Sequence, residues 1–234
     1  MIHHPRLMRK RAMRTFLIVP TLAIAVAIAG YAVVTTPKQT PAKSPLYAFD
    51  PETVGRYEQA AWAQYYWRQW PQMFDSLLRM TRSAFGISFP HAVYATYENT
   101  LAQIAWARQG DTGGEARARM RTFYEFIREP VGGAYDTARA ADLEVNWWAV
   151  HRNRDQHPDR TALTEALSML YAEVYQLPAD RVTRAAALRA EAMDISDQWI
   201  REGKLPESPL LQQITNLLIH SYTELKQAVS TGSQ

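Results

Sequence analysis

Thr15–Val34 (TFLIVPTLAIAVAIAGYAVV) runs twenty residues without a charged side chain, and the basic stretch RLMRKRAMR stands directly before it. At about 1.5 Å of rise per residue, a helix of that length covers the roughly 30 Å hydrocarbon core of a bilayer. In lipid the backbone of such a run must satisfy its hydrogen bonds internally, so it reads as one transmembrane helix, a signal-anchor, with the rest of the chain on one side. Arg6, Arg9, Lys10, Arg11 and Arg14 precede it, no acidic residue occurs before Asp50, and only Lys38 and Lys43 follow closely. Basic residues collect on the cytoplasmic face, which places the stub 1–14 inside and the chain beyond about residue 36 outside.

A cleaved signal peptide is the rival expectation. Ala27-Ile28-Ala29 before Gly30 has the small-x-small pattern of a cleavage site. Against it, the apolar run continues through Tyr31, Val33 and Val34, long for a signal peptide. Pro20 lies near the cytoplasmic end, where a membrane helix tolerates a kink. Alanines at 23 and 27, and at 25 and 29, have the small-xxx-small spacing that lets two anchors pack, so a homo-oligomer is compatible with the span. The expected location is a cell membrane, single-pass, with the domain on the outer side of a bacterial cytoplasmic membrane. The absence of cysteine fits an exported domain.

Charge has to be read by segment. The whole chain is +3, with 26 Lys and Arg against 23 Asp and Glu; setting aside the five basic residues of the stub leaves 21 against 23, a net −2. The basic excess is a topology signal, and no nucleic-acid footprint is present.

Residues 35–48 (TTPKQTPAKSPLYA) carry three prolines among small polar residues, the composition of a semi-rigid spacer. Residues 49–230 read as an all-α domain of about seven helices. Asp50-Pro51 is an N-cap followed by proline, opening a first helix to about Phe85 that Pro71 kinks or divides after Trp70. A second runs from Pro90 to about Gln109, closed by Gly110, and a third from Glu115 to Glu129, stopped by Pro130. Asp136 caps a fourth to about Asn153. His157-Pro158 opens a fifth to Gln176, a sixth covers Asp180–Glu202, and Ser208-Pro209 opens a seventh to about Val229. No segment alternates at period 2, and no sustained repeat is present, so the expectation is an irregular antiparallel helical array.

On helical wheels, polar residues fall inside apolar arcs. Glu58 lies among Trp62, Tyr65, Tyr66, Met73 and Met80; His91 and Glu98 lie among Tyr94, Tyr97, Leu101, Ala105 and Trp106; Glu144 and His151 lie among Leu143, Trp147, Trp148 and Val150; Arg189 is flanked by Val182, Leu188, Met193, Trp199 and Ile200. Glu58-x3-Trp62-x2-Tyr65 matches Glu144-x3-Trp148-x2-His151. A carboxylate among aromatics is costly unless answered. Either Glu58, Glu98 and Glu144 meet Arg189, His91, His151 or tyrosine hydroxyls in an internal network, or they form a metal or acid–base site.

The metal reading has the wrong spacing. There is no Glu-x-x-His and no His-Glu-x-x-His, and Glu144 and His151 stand two turns apart, about 10 Å along an axis. No Gly-x-Ser-x-Gly, phosphate loop or dinucleotide glycine pattern occurs. Arg117, Arg121 and Arg128 form a basic stripe, read as a solvated face that could also meet lipid headgroups. No cofactor is named by any motif, and a catalytic role is left open. The leading expectation is a membrane-anchored, non-catalytic interaction or scaffold domain with a protein partner. The alternative is a ligand- or metal-binding helical bundle, a possible enzyme, using the cluster Glu58, Tyr65, His91, Glu98, Glu144, His151 and Arg189.

Overall fold

The structure, a computed structural model, describes residues 46, 48–108, 113–153 and 160–231. The span read at 15–34 and most of the spacer lie outside these. Among the described residues the chain is all-helical, with eight helices and no strand, and no helix there is long and apolar enough to cross a membrane. The helices are α1 (Pro51–Tyr66), α2 (Trp70–Phe85), α3 (Phe89–Ala107), α4 (Gly114–Val131), α5 (Thr137–Arg152), α6 (Thr161–Tyr175), α7 (Ala179–Arg201) and α8 (Pro209–Thr231).

Eight helices stand where about seven are expected because the first expected helix is two. α1 stops at Tyr66, Arg68 turns the chain with φ 56°, and Trp70 and Pro71 then begin α2. Pro71 thus sits in a first turn, where its missing N–H costs nothing, and it starts a helix instead of kinking one. Pro130 likewise fails to stop α4. The helix continues to Val131, which is fully buried and anchors the last turn, and the exit comes at Gly132 with φ 64°. α6 begins at Thr161, three residues after the expected Pro158; residues 154–159 lie outside those described, as does Gly110. Asp50 and Asp136 act as the expected caps, accepting from the backbone N–H of Thr53 and from those of Ala138 and Arg139.

Each helix packs on the next in the chain, and α8 packs back on α1, so the eight close into a ring. Short connections make neighbours antiparallel, and the odd-numbered helices therefore share one direction. α2 and α4 segregate apolar from charged residues, as helices with one wet side do, whereas α3 and α5 show little segregation. That difference accords with an inner position for α3 and α5 and an outer one for α2 and α4. The main core runs between the two layers, and Leu46 and Phe49, ahead of α1, are buried in it. The α7–α8 connection is pinned by two indoles: Trp67 donates to the Lys204 carbonyl at 3.0 Å and Trp199 to that of Leu205 at 2.9 Å.

Candidate functional site, a cavity inside the helical ring

All four odd-numbered helices face a cavity of about 450 Å³, with α2 adding Leu77 and Met80. The lining begins at Glu58 on α1, Asn99 on α3, Glu144 on α5 and Arg189 on α7, and on each helix it continues four and seven residues later. Those steps give Trp62 and Tyr65, Gln103 and Trp106, Trp148 and His151, Met193 and Ser196. One face of a helix repeats at that spacing. In every case the residues run from the middle of the helix toward its C-terminal end, so the cavity lies toward one end of the ring. Glu58, Asn99 and Arg189 are buried, while Arg152, two turns on from Glu144, is exposed. The first set is the floor and the last is the mouth.

At the floor, Arg189 donates through Nε to Glu58 Oε1 at 3.0 Å and through Nη2 to the same oxygen. Its guanidinium lies 4.9 Å from the centre of the Trp147 ring and 5.9 Å from that of Tyr171. Burial by itself disfavours this charge, but Glu58, Tyr171, Tyr222 and Glu144 together outweigh it, and Arg189 is held well above its ordinary value. Burial and the Glu58 charge push the Tyr222 phenol well up, so it stays a protonated donor beside the pair.

Glu144 is answered differently. Tyr124 on α4 donates to Oε2 at 2.8 Å, and the Trp147 and Trp148 indoles donate to Oε1 at 3.1 and 3.2 Å. Burial raises its carboxyl above the usual range against the pull of Arg189 and these three donors. Protein surrounds it on all sides except the cavity, which leaves it half-buried.

Nearer the mouth, His151 Nε2 stands 3.2 Å from Asp197 Oδ1 of α7. Gln103 donates to Asn99 Oδ1 at 2.8 Å. Arg152 lies over the Trp106 ring at 3.7 Å and donates to that residue's carbonyl. Burial raises the phenols of Tyr65 and Tyr66, so both remain donors.

Of the residues singled out from the sequence, Glu58, Tyr65, Glu144, His151 and Arg189 line this cavity. His91 and Glu98 do not. His91 Nδ1 pairs with Ser88 Oγ at 2.9 Å at the start of α3, and Glu98 takes Arg119 of α4 at 3.1 Å. Sequence reasoning missed Asn99, Gln103 and Asp197. A signal for the first two existed, since Asn99-x3-Gln103-x2-Trp106 repeats the spacing of Glu58-x3-Trp62-x2-Tyr65. The arginines of the α4 stripe have acidic neighbours, Asp142 for Arg117 and Glu125 for Arg121.

Chemically, the cavity offers aromatic walls with fixed polar groups at its floor and mouth. Among the described residues no group of three or more His, Asp or Glu side chains is placed to hold a metal ion. Comparison with protein families, with curated proteins and with solved structures found no match.

Proposed function

We propose that this helical ring is a binding domain for a small organic molecule, tethered by residues 15–34 at the outer face of a bacterial cytoplasmic membrane. One observation carries the reading: four inner helices turn the same face, at the same spacing, onto one cavity of about 450 Å³. That volume falls within the range of small-molecule sites, and so does a largely apolar wall with a few fixed polar groups. A domain needing only a packed core would fill the space, because a void costs stability. The large exposed apolar side chains among the described residues, Phe89, Met169 and Leu205, sit on three different elements, which favours the cavity over a protein-docking face as the functional feature.

Calorimetric titration of the full chain, held in a polyoxyethylene detergent, tests this with six probes: choline, citrate, indole, cellobiose, maltose and N,N′-diacetylchitobiose. Saturable binding of at least one is expected, and Gln103→Phe, which fills the cavity from α3, should abolish it while leaving the helical melting transition. If a folded wild-type chain binds none of the six, the reading is wrong.

A further inference from the structure

We infer that the ligand is a neutral saccharide of one or two rings, an assignment that rests on reading the cavity as a small-molecule site. Glu58 is paired with Arg189, and Asp197 with His151. Glu144 holds three donors, and Arg152 lies against Trp106. Glu58 thus meets an opposite charge, Asp197 a histidine, Glu144 three neutral donors, and Arg152 a ring face and a carbonyl, so each charged group on the wall has a protein partner. An ionic ligand would surrender its hydration and compete with those partners for each charge, which is unfavourable in a desolvated site.

Two of the aromatic faces suited to a cation are taken in the same way. Arg152 covers one face of Trp106 and Arg189 one face of Trp147, so the protein's own guanidiniums already make those cation–π contacts. A purely apolar ligand fails for the opposite reason. It would strip water from the Asn99 amide, the Gln103 carbonyl and the Ser196 hydroxyl and give them no partner, at a cost for each.

A neutral molecule remains, with apolar faces and an edge dense in groups that both donate and accept. Sugar rings have that form. Their C–H faces rest on the electron-rich faces of aromatic rings, here Trp62, Trp148 and Tyr65. Their hydroxyls suit planar polar side chains that can do both. The Asn99–Gln103 pair is of that kind: the bond between them leaves the Asn99 amide donors and the Gln103 carbonyl for other partners.

The experiment compares classes of probe by calorimetry on the full chain in a polyoxyethylene detergent, since glycoside detergents would compete. Cellobiose, maltose and N,N′-diacetylchitobiose are set against choline, citrate and indole. Saturable binding of at least one disaccharide is expected, with no binding of choline or citrate. Gln103→Ala, a half-buried position that leaves the fold intact, should weaken the bound disaccharide about five-fold, the loss of one hydrogen bond. Gln103→Phe should abolish binding. Choline, citrate or indole binding in place of every saccharide overturns the saccharide assignment and keeps the small-molecule reading. Silence from all six probes overturns both.

Discussion

The buried Arg189 is the residue on which the most interactions converge, and its consequences are the easiest to measure. It answers Glu58, crosses the faces of Trp147 and Tyr171, and moderates Glu144. Removing one partner of a buried ion pair strands the other charge. Arg189→Met should therefore destabilise the chain by about 3–5 kcal/mol in urea unfolding, and the double change Glu58→Met with Arg189→Met should recover most of that loss. Glu144 gives a prediction of a different kind. Its folded-state pKa is raised, so the folded state binds the proton more tightly than the unfolded one. Its contribution to stability is whole below the ordinary glutamate value of 4.5 and is lost as pH rises from there through the raised value. Unfolding free energy measured against pH should show that decline in the wild type relative to Glu144→Gln; parallel curves would contradict it. Glu58, Glu144 and Arg189 were legible because a carboxylate or guanidinium within an aromatic arc demands a partner. Asn99 and Gln103 were not, because an uncharged amide in a helix raises no such demand. Glu98 shows the limit of the same logic. Its partner is Arg119, a half-buried arginine of the adjacent helix, so a satisfied buried acid need not belong to a site.

At the scale of elements, the ring depends on how closely α8 can approach α1. A Cβ built on Gly55 would stand 2.8 Å from the Ile219 backbone nitrogen and 2.9 Å from its Cγ1. Replacing a helical glycine by alanine normally gains about 1 kcal/mol. Here the sign should reverse, because the methyl meets backbone that cannot move aside. Gly55→Ala is expected to lower unfolding free energy by about 1–3 kcal/mol, and a gain in stability would mean that the two helices are not in close contact. Helix starts were readable wherever Asp or Ser stood before a proline or an apolar run, as at Asp50 and Asp136, because the cap is a local interaction. The buried face of α3 was not. The residues Tyr94, Tyr97, Leu101 and Ala105 suggested one face, yet of these only Ala105 is buried, together with the small Ala92, Ala95, Thr96 and Ala102. Small side chains mark where an inner helix packs against its neighbours, and that depends on the partner helices more than on the helix itself.

For the whole molecule, closure of the ring and a shared inner face are the features that matter, and both arise from pairings far apart in sequence. An all-helical chain with short connections could be read from the sequence; a ring could not, since nothing in either helix says that α8 returns to α1. A chain ending at Glu207 lacks α8 and with it the Ser221 hydrogen bond to the Ala185 carbonyl, and it should melt without a cooperative transition in circular dichroism. The proposed membrane tether makes its own prediction: the chain expressed in bacteria should remain in the pellet after alkaline carbonate extraction, and release into the supernatant would favour cleavage near Ala29. The most direct test of the central claim, that the inner helices enclose an open cavity, needs no ligand. Acrylamide, small and neutral, should quench the wild-type tryptophan emission strongly, because Trp62, Trp106, Trp147 and Trp148 line the cavity. Gln103→Phe should remove much of that quenching while the fold is kept. Equal, weak quenching in both proteins would show those indoles to be sealed within a packed core, and the account of the cavity would fail.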